Sequence, residues 1–176
     1  VYLADKAFIE KLFQRCAHLL PAGAIGLNRR LRCYRYRPGA VYRPHIDGAW
    51  PPSGLTSELP EGAASSLVNS GGHNNHHHST GLANDNRYVY DASGGTSLSR
   101  YTFLVYLNDD FSGGGTTFYS PAAQRGVLCR RAVRPKAGAA LVFPHGKADA
   151  PLHEGSGVLY GTKYVIRTEV LFPREV

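Results

Sequence analysis

RYTFLVYLNDDFSGGGTTFY, residues 100–119, sets a run of β-branched and aromatic residues against a turn rich in Asn, Asp, Ser and Gly, followed by a second short run of Thr and aromatics. It reads as strand, turn, strand, with Gly113 to Gly115 supplying backbone angles closed to other residues. Thr102, Leu104 and Tyr106 stand two apart and share one face of the first strand. No Lys-Ser/Thr pair follows the glycines and no helix is predicted after them, so this is not a phosphate loop.

The same texture continues in both directions. LRCYRYR (31–37), AVYRPHI (40–46), AALVFP (139–144) and KYVIRTEVLF (163–172) are short strand-like runs separated by Gly, Pro, Asn and Asp. They predict an antiparallel β sandwich or barrel. Helical spacing is found near the start, in DKAFIEKLFQRCAHLL (5–20), where Phe8, Leu12, Phe13, Cys16, Leu19 and Leu20 recur behind an Asp5 cap and Pro21 closes the run. The fold class is therefore mainly β with a flanking helix, and residues 1–176 are read as one domain. Residues 48–99, rich in Gly, Ser, Pro and Asn, form a long loop-rich insertion, part of which is read as mobile. Its His73, His76, His77 and His78 can bind metal, although incidental histidines in a polar loop are the better reading.

The chain is 43% hydrophobic, which suits a packed core, and it carries net charge +7. Its arginines are scattered rather than massed, so nucleic acid is not the expected partner. No apolar run is long enough to span a membrane. Cys16, Cys33 and Cys129 show neither zinc-site spacing nor a paired framework, which favours a reducing compartment, cytoplasm or nucleus. The chain has no Met and begins at Val1, as expected of a piece of a longer protein.

Within YRPHID (42–47), His45 and Asp47 fall on one face of an extended segment and can aim an imidazole and a carboxylate at one point. A solvated turn would look the same. A second imidazole comes from PLHEGSGVLYGTKYVIRTEVLF (151–172), where Lys163 opens an alternating strand ten residues after His153. Two histidines and a carboxylate can occupy one face of iron(II) and leave positions open for a bidentate cosubstrate and oxygen. On that last strand Val165, Arg167 and Glu169 share the Lys163 face, while Tyr164, Ile166, Thr168, Val170 and Phe172 share an apolar face suited to the helix. Glu154, next to His153, alternates away from it and faces out.

From Leu31 to Phe172, the order YRPHID, RYTFLVYLNDDFSGGGTTFY, VRPKAGAALVFPH, LHEGSGVLYGTKYV resembles the prolyl 4-hydroxylase-like branch of the iron(II)- and 2-oxoglutarate-dependent oxygenases. The resemblance implies a double-stranded β-helix, the jelly-roll fold of the cupins. It implies His45, Asp47 and His153 as iron ligands and Lys163 as the cation holding the distal carboxylate of 2-oxoglutarate. Tyr36 fits a cosubstrate-binding tyrosine, with Tyr34 a near competitor, and Thr102 and Tyr106 are placed towards the cavity, where ordinary core packing is the alternative. Tyr42, Trp50, Arg100, Arg167 and Glu169 are candidate pocket or substrate residues.

The implied chemistry is hydroxylation of a C–H bond, coupled to decarboxylation of 2-oxoglutarate to succinate and using O2, with ascorbate as an accessory reductant. A prolyl residue in a protein or peptide is the expected substrate, and a small molecule such as a free amino acid is the alternative. The family's prolyl hydroxylases carry a tryptophan near the substrate where this chain has Glu169, which puts prolyl specificity in doubt. A structural Arg167–Glu169 pair accounts for that position equally well. The final strand also lacks the pair of arginines typical of the nucleic-acid-repair branch. His145 is read as a structural or entrance residue, and Trp50 with Tyr88 to Tyr90 as part of a segment that closes over a peptide, unless the insertion has no substrate role.

Overall fold

The structure, a computed structural model, describes residues 1–59, 87–146 and 148–174. The four histidines of the insertion lie outside those residues. The chain opens with β1 (Tyr2–Leu3) and α1 (Lys6–Cys16) and continues through β2 (Gly26–Leu27), β3 (Arg30–Tyr36) and β4 (Tyr42–His45). The insertion contributes a small hairpin of β5 (Gly54–Leu55) and β6 (Tyr88–Val89). Then follow β7 (Ser97–Tyr106), β8 (Ser112–Gly113), β9 (Thr116–Pro121), β10 (Leu128–Val133) and β11 (Ala140–Pro144). β12 (Leu152–Gly155), β13 (Val158–Tyr160) and β14 (Lys163–Pro173) complete the chain.

Two antiparallel sheets form the body. The larger runs β1-β3-β14-β7-β11, with β2 also on β14, and the smaller runs β10-β9-β12-β4. β7 and β9 therefore do not pair with each other; the segment between them, which includes β8, carries the chain from one sheet to the other. Gly113 and Gly114, with φ of 73° and 63°, supply the left-handed backbone that this turn requires. The strand pattern is that of a double-stranded β-helix, as expected.

The period of two divides the large sheet into a largely polar inner face and an apolar outer one. On β14, Lys163, Val165 and Arg167 pair with Tyr36, Tyr34 and Arg32 of β3, all on the inner face. The outer face sets Leu27, Leu31, Phe103, Val170 and Phe172 in one apolar cluster with Ala4 and Ile9, against which Leu12, Phe13 and Ile166 pack. The helix thus covers the outer face, as its spacing predicts. Asp5 caps it: its Oδ1 accepts from the N–H groups of Ala7 and Phe8 at 2.8 and 3.2 Å. Such a cap is worth about 1 kcal/mol.

Candidate metal centre

The site is built on the small sheet. His45 and His153 stand directly opposite each other on β4 and β12, with ring centroids 4.2 Å apart. Each ring is oriented by the chain two residues before it. His45 Nδ1–H donates to the Arg43 carbonyl at 2.8 Å, and His153 Nδ1–H to the Pro151 carbonyl at 3.1 Å. A carbonyl can only accept, so both Nδ1 atoms carry the proton and both Nε2 lone pairs are left for a metal.

Asp47 follows β4 and points to the same place. Its Oδ1 lies 3.4 Å from His45 Nε2, and its Oδ2 3.7 Å from His153 Nε2. One ligand atom from each of the three residues lies within 4.8 Å of the others. Ligand atoms bound at right angles about 2.1 Å from an ion sit about 3 Å apart, so the two Asp47–histidine separations are near those of a loaded site while the set as a whole is wider. Burial lowers the His153 pKa and keeps its imidazole neutral, the form that ligates.

A pocket opens beside this triad. Its walls include Tyr34, Tyr36, Tyr42, Leu104, Thr116 and Lys163. Lys163 is 4% exposed, and its Nζ donates to the Gly114 carbonyl at 2.6 Å. It sits 5.5 Å from the ring centres of Tyr36 and Tyr106. No acidic side chain among the described residues pairs with it, and burial lowers its pKa to about 8. A buried ammonium without a counter-charge is costly unless a ligand supplies one, and a carboxylate is the natural ligand. The donor set therefore fits iron(II), and the cation in the pocket wall fits the distal carboxylate of 2-oxoglutarate.

Residues 31–168 match the family described as the 2OG-Fe(II) oxygenase superfamily. The chain belongs to that superfamily. Membership makes iron(II) its metal and 2-oxoglutarate and O2 its cosubstrates. Similar solved structures include a Pseudomonas putida prolyl-4-hydroxylase, 19% identical with a TM-score of 0.46, for which the match covers 94% of this chain and 61% of that one. Another is the 2OG complex of a viral collagen prolyl hydroxylase from Paramecium bursaria Chlorella virus-1, 16% identical with a TM-score of 0.40, covering 93% and 67%. The chain thus spans about three fifths of the first of these. No curated protein matches it.

The other predicted residues of this oxygenase divide by depth. Tyr36, Tyr42 and Arg167 line the pocket together with Tyr34. Thr102 does not reach the pocket; it is fully buried behind the triad, and its hydroxyl donates to Asp47 Oδ2 at 2.6 Å. Tyr106 turns its hydroxyl to Thr116 Oγ1 at 2.7 Å, so its ring, rather than its oxygen, faces Lys163. Glu169 is fully buried between Arg32 Nη2 at 3.7 Å and Arg167 Nε at 3.9 Å, off the pocket wall. Trp50 lies under Arg30 and Arg32 and against Tyr90, also off the wall. Arg100 donates to the Pro173 carbonyl at 3.1 Å. Glu154, expected to face out, is half-buried and lies at the pocket edge, where its Oε1 accepts from Ser156 Oγ at 2.8 Å.

One feature lies outside the sequence reading. Arg167 Nη1 donates to Asp47 Oδ1 at 2.8 Å, so the carboxylate of this candidate ligand is held on both oxygens by the protein itself. Of the two readings of His145, structural or entrance, burial favours the structural one: it is 1% exposed, directly behind Thr102, and burial lowers its pKa to about 4, leaving it neutral.

Proposed function

We propose that this dioxygenase hydroxylates a prolyl residue of a protein or peptide. When bound at His45, Asp47 and His153, iron(II) supplies oxygen activation, coupled to decarboxylation of 2-oxoglutarate to succinate and to hydroxylation of the substrate C–H bond. The protein's residues do the holding. Lys163 fixes the distal carboxylate, the two carbonyl-bound histidines keep Nε2 turned inward, and Leu104, Phe143 and Val165 keep water from the pocket floor.

The observation that carries the substrate reading is the wall beside His45. Tyr42 stands edge-on to the His45 ring at 4.3 Å and lies 6.0 Å from Tyr34, which stacks on Tyr36 at 6.0 Å. This aromatic ladder gives an apolar five-membered ring flat surfaces to rest on. β4 is also the outer strand of its sheet among the described residues, which leaves the side next to the metal open to an extended chain. The small-molecule alternative needs Arg167 and Glu169 to meet substrate charges, yet they meet each other, Arg32 and Asp47.

The test is to incubate the protein with iron(II), 2-oxoglutarate and proline-containing peptides or free amino acids, and to measure succinate together with product mass. A gain of one oxygen on a proline, with one succinate per product, is expected. Turnover with free amino acids and none with any peptide would overturn the prolyl reading.

A further inference from the structure

Behind the metal-binding carboxylate runs a file of polar groups that the ligand set does not account for. The Trp50 backbone N–H donates to Ser99 Oγ at 2.8 Å, and Ser99 Oγ lies 2.8 Å from His145 Nε2. His145 Nδ1 lies 2.8 Å from Thr102 Oγ1, which in turn is 2.6 Å from Asp47 Oδ2. Ser99, Thr102, His145 and Asp47 are all buried. Their spacing along the chain gives no hint of the file, because it joins β7, the residue after β11 and the residues after β4.

The direction of every proton in this file follows from its far end. A carboxylate can only accept, so the single Thr102 hydroxyl proton points to Asp47. Thr102 must then accept from His145, which places the imidazole proton on Nδ1. Nε2 of the neutral ring is left bare, so the Ser99 hydroxyl donates to it, and Ser99 in turn accepts from Trp50. All four hydrogen bonds run the same way.

We propose that His145 is a positioning residue for the metal, acting through Thr102 to hold the Asp47 carboxylate in its ligating orientation. This rests on the reading of Asp47 as an iron ligand. Arg167 fixes one oxygen of the carboxylate by charge; the file fixes the other by direction, and two fixed oxygens leave the plane of the carboxylate no freedom to turn. A ligand held in this way needs no reordering when metal arrives.

Two measurements test it. The first is the 15N spectrum of the His145 imidazole in the metal-free protein, assigned by its disappearance in His145→Asn. A neutral ring protonated on Nδ1 is expected; protonation on Nε2 would reverse the file and overturn the proposal. The second is Mn(II) affinity, followed by its electron paramagnetic resonance signal. His145→Phe and Thr102→Val should each weaken binding about 10- to 100-fold. His145→Asn, which can still donate towards Thr102, should recover most of the loss. Adding His145→Phe to Thr102→Val should cost less than about twofold more, since the first change has already cut the path.

Additive losses, or a folded His145→Phe protein that binds Mn(II) as wild type does, would overturn the inference alone. Wild-type protein that binds no Mn(II) would overturn the ligand assignment and this inference together.

Discussion

Replacing Lys163 with methionine keeps an unbranched side chain one atom shorter and removes its charge. Two consequences of opposite sign follow from its surroundings. In the free protein the ammonium is buried against Tyr36, Tyr106 and one carbonyl, and its pKa drops from 10.5 to about 8 because burial disfavours the charge. Removing it should raise the melting temperature. In the proposed complex the same group would be the counter-charge to a buried carboxylate, and truncating one side of such a pair costs about 2–5 kcal/mol. At 1.4 kcal/mol per decade, the 2-oxoglutarate Kd should rise about 30- to 4,000-fold.

The pH dependence has a definite sign. Below pH 8 Lys163 is already charged and the Kd should be flat; above it each binding event takes up a proton, so affinity should fall by up to about tenfold per pH unit. Stability moves the other way. Between pH 8 and 10.5 the unfolded chain holds the lysine proton and the folded chain does not, so the folded state gains stability as pH rises. Isothermal titration of 2-oxoglutarate into Mn(II)-loaded protein from pH 6.5 to 9.5, for wild type and Lys163→Met, checks both the affinity and its slope. A variant that binds within about threefold of wild type, or that keeps the wild-type pH slope, would refute the assignment of Lys163.

Three further outcomes are expected. Gly114→Ala places a methyl 3.0 Å from Phe111, 3.2 Å from Val158 and 3.3 Å from Lys163 Cδ at a φ of 63°, so 2-oxoglutarate affinity should fall while Mn(II) affinity holds; paired titrations of the two ligands separate these effects. Glu169→Gln removes the acid that lies between Arg32 and Arg167 and should cost about 3–5 kcal/mol in urea unfolding. Ile9→Ala, on the buried side of α1, should cost about 2 kcal/mol or more by the same assay and leave Mn(II) affinity unchanged.

How far the sequence could be read depends on which residues speak through the backbone. The strand pleat enforces a period of two, so the faces of β14 and the two-apart geometry of His45 and Asp47 were open to inspection before any fold was known. Parity gives a face but not a depth. Glu169 lies six residues beyond Lys163, about 20 Å along the strand, and cannot share its pocket although it shares its side of the sheet. Parity puts Thr102 and Tyr106 on one face of β7, but what their hydroxyls touch is set by other strands: Asp47 for one, Thr116 for the other. Trp50 and Arg100 stand close in sequence to the pocket rim, and the chain directions there carry them to Arg30 and to Pro173 instead. His145 was hardest to read, since its partners Ser99 and Thr102 reach it only through strand pairing.

The large sheet divides the protein's energetics along the same line as its function. Its outer face is apolar wherever it meets the helix, and burial there supplies stability without touching a ligand. Its inner face holds Arg32, Arg167 and Glu169 at separations of 3.7 and 3.9 Å, and both Glu169 oxygens lack a hydrogen-bond partner. A buried carboxylate without hydrogen bonds is a poor way to stabilise a fold, and a well-packed apolar residue would do better. What this cluster does accomplish is to place the Arg167 guanidinium against Asp47 at 2.8 Å. Alternate residues of β14 should therefore sort by phenotype. Changes at Ile166, Val170 and Phe172 should lower the unfolding midpoint at constant metal affinity, whereas conservative changes at Lys163 and Arg167 should alter ligand binding more than they alter stability.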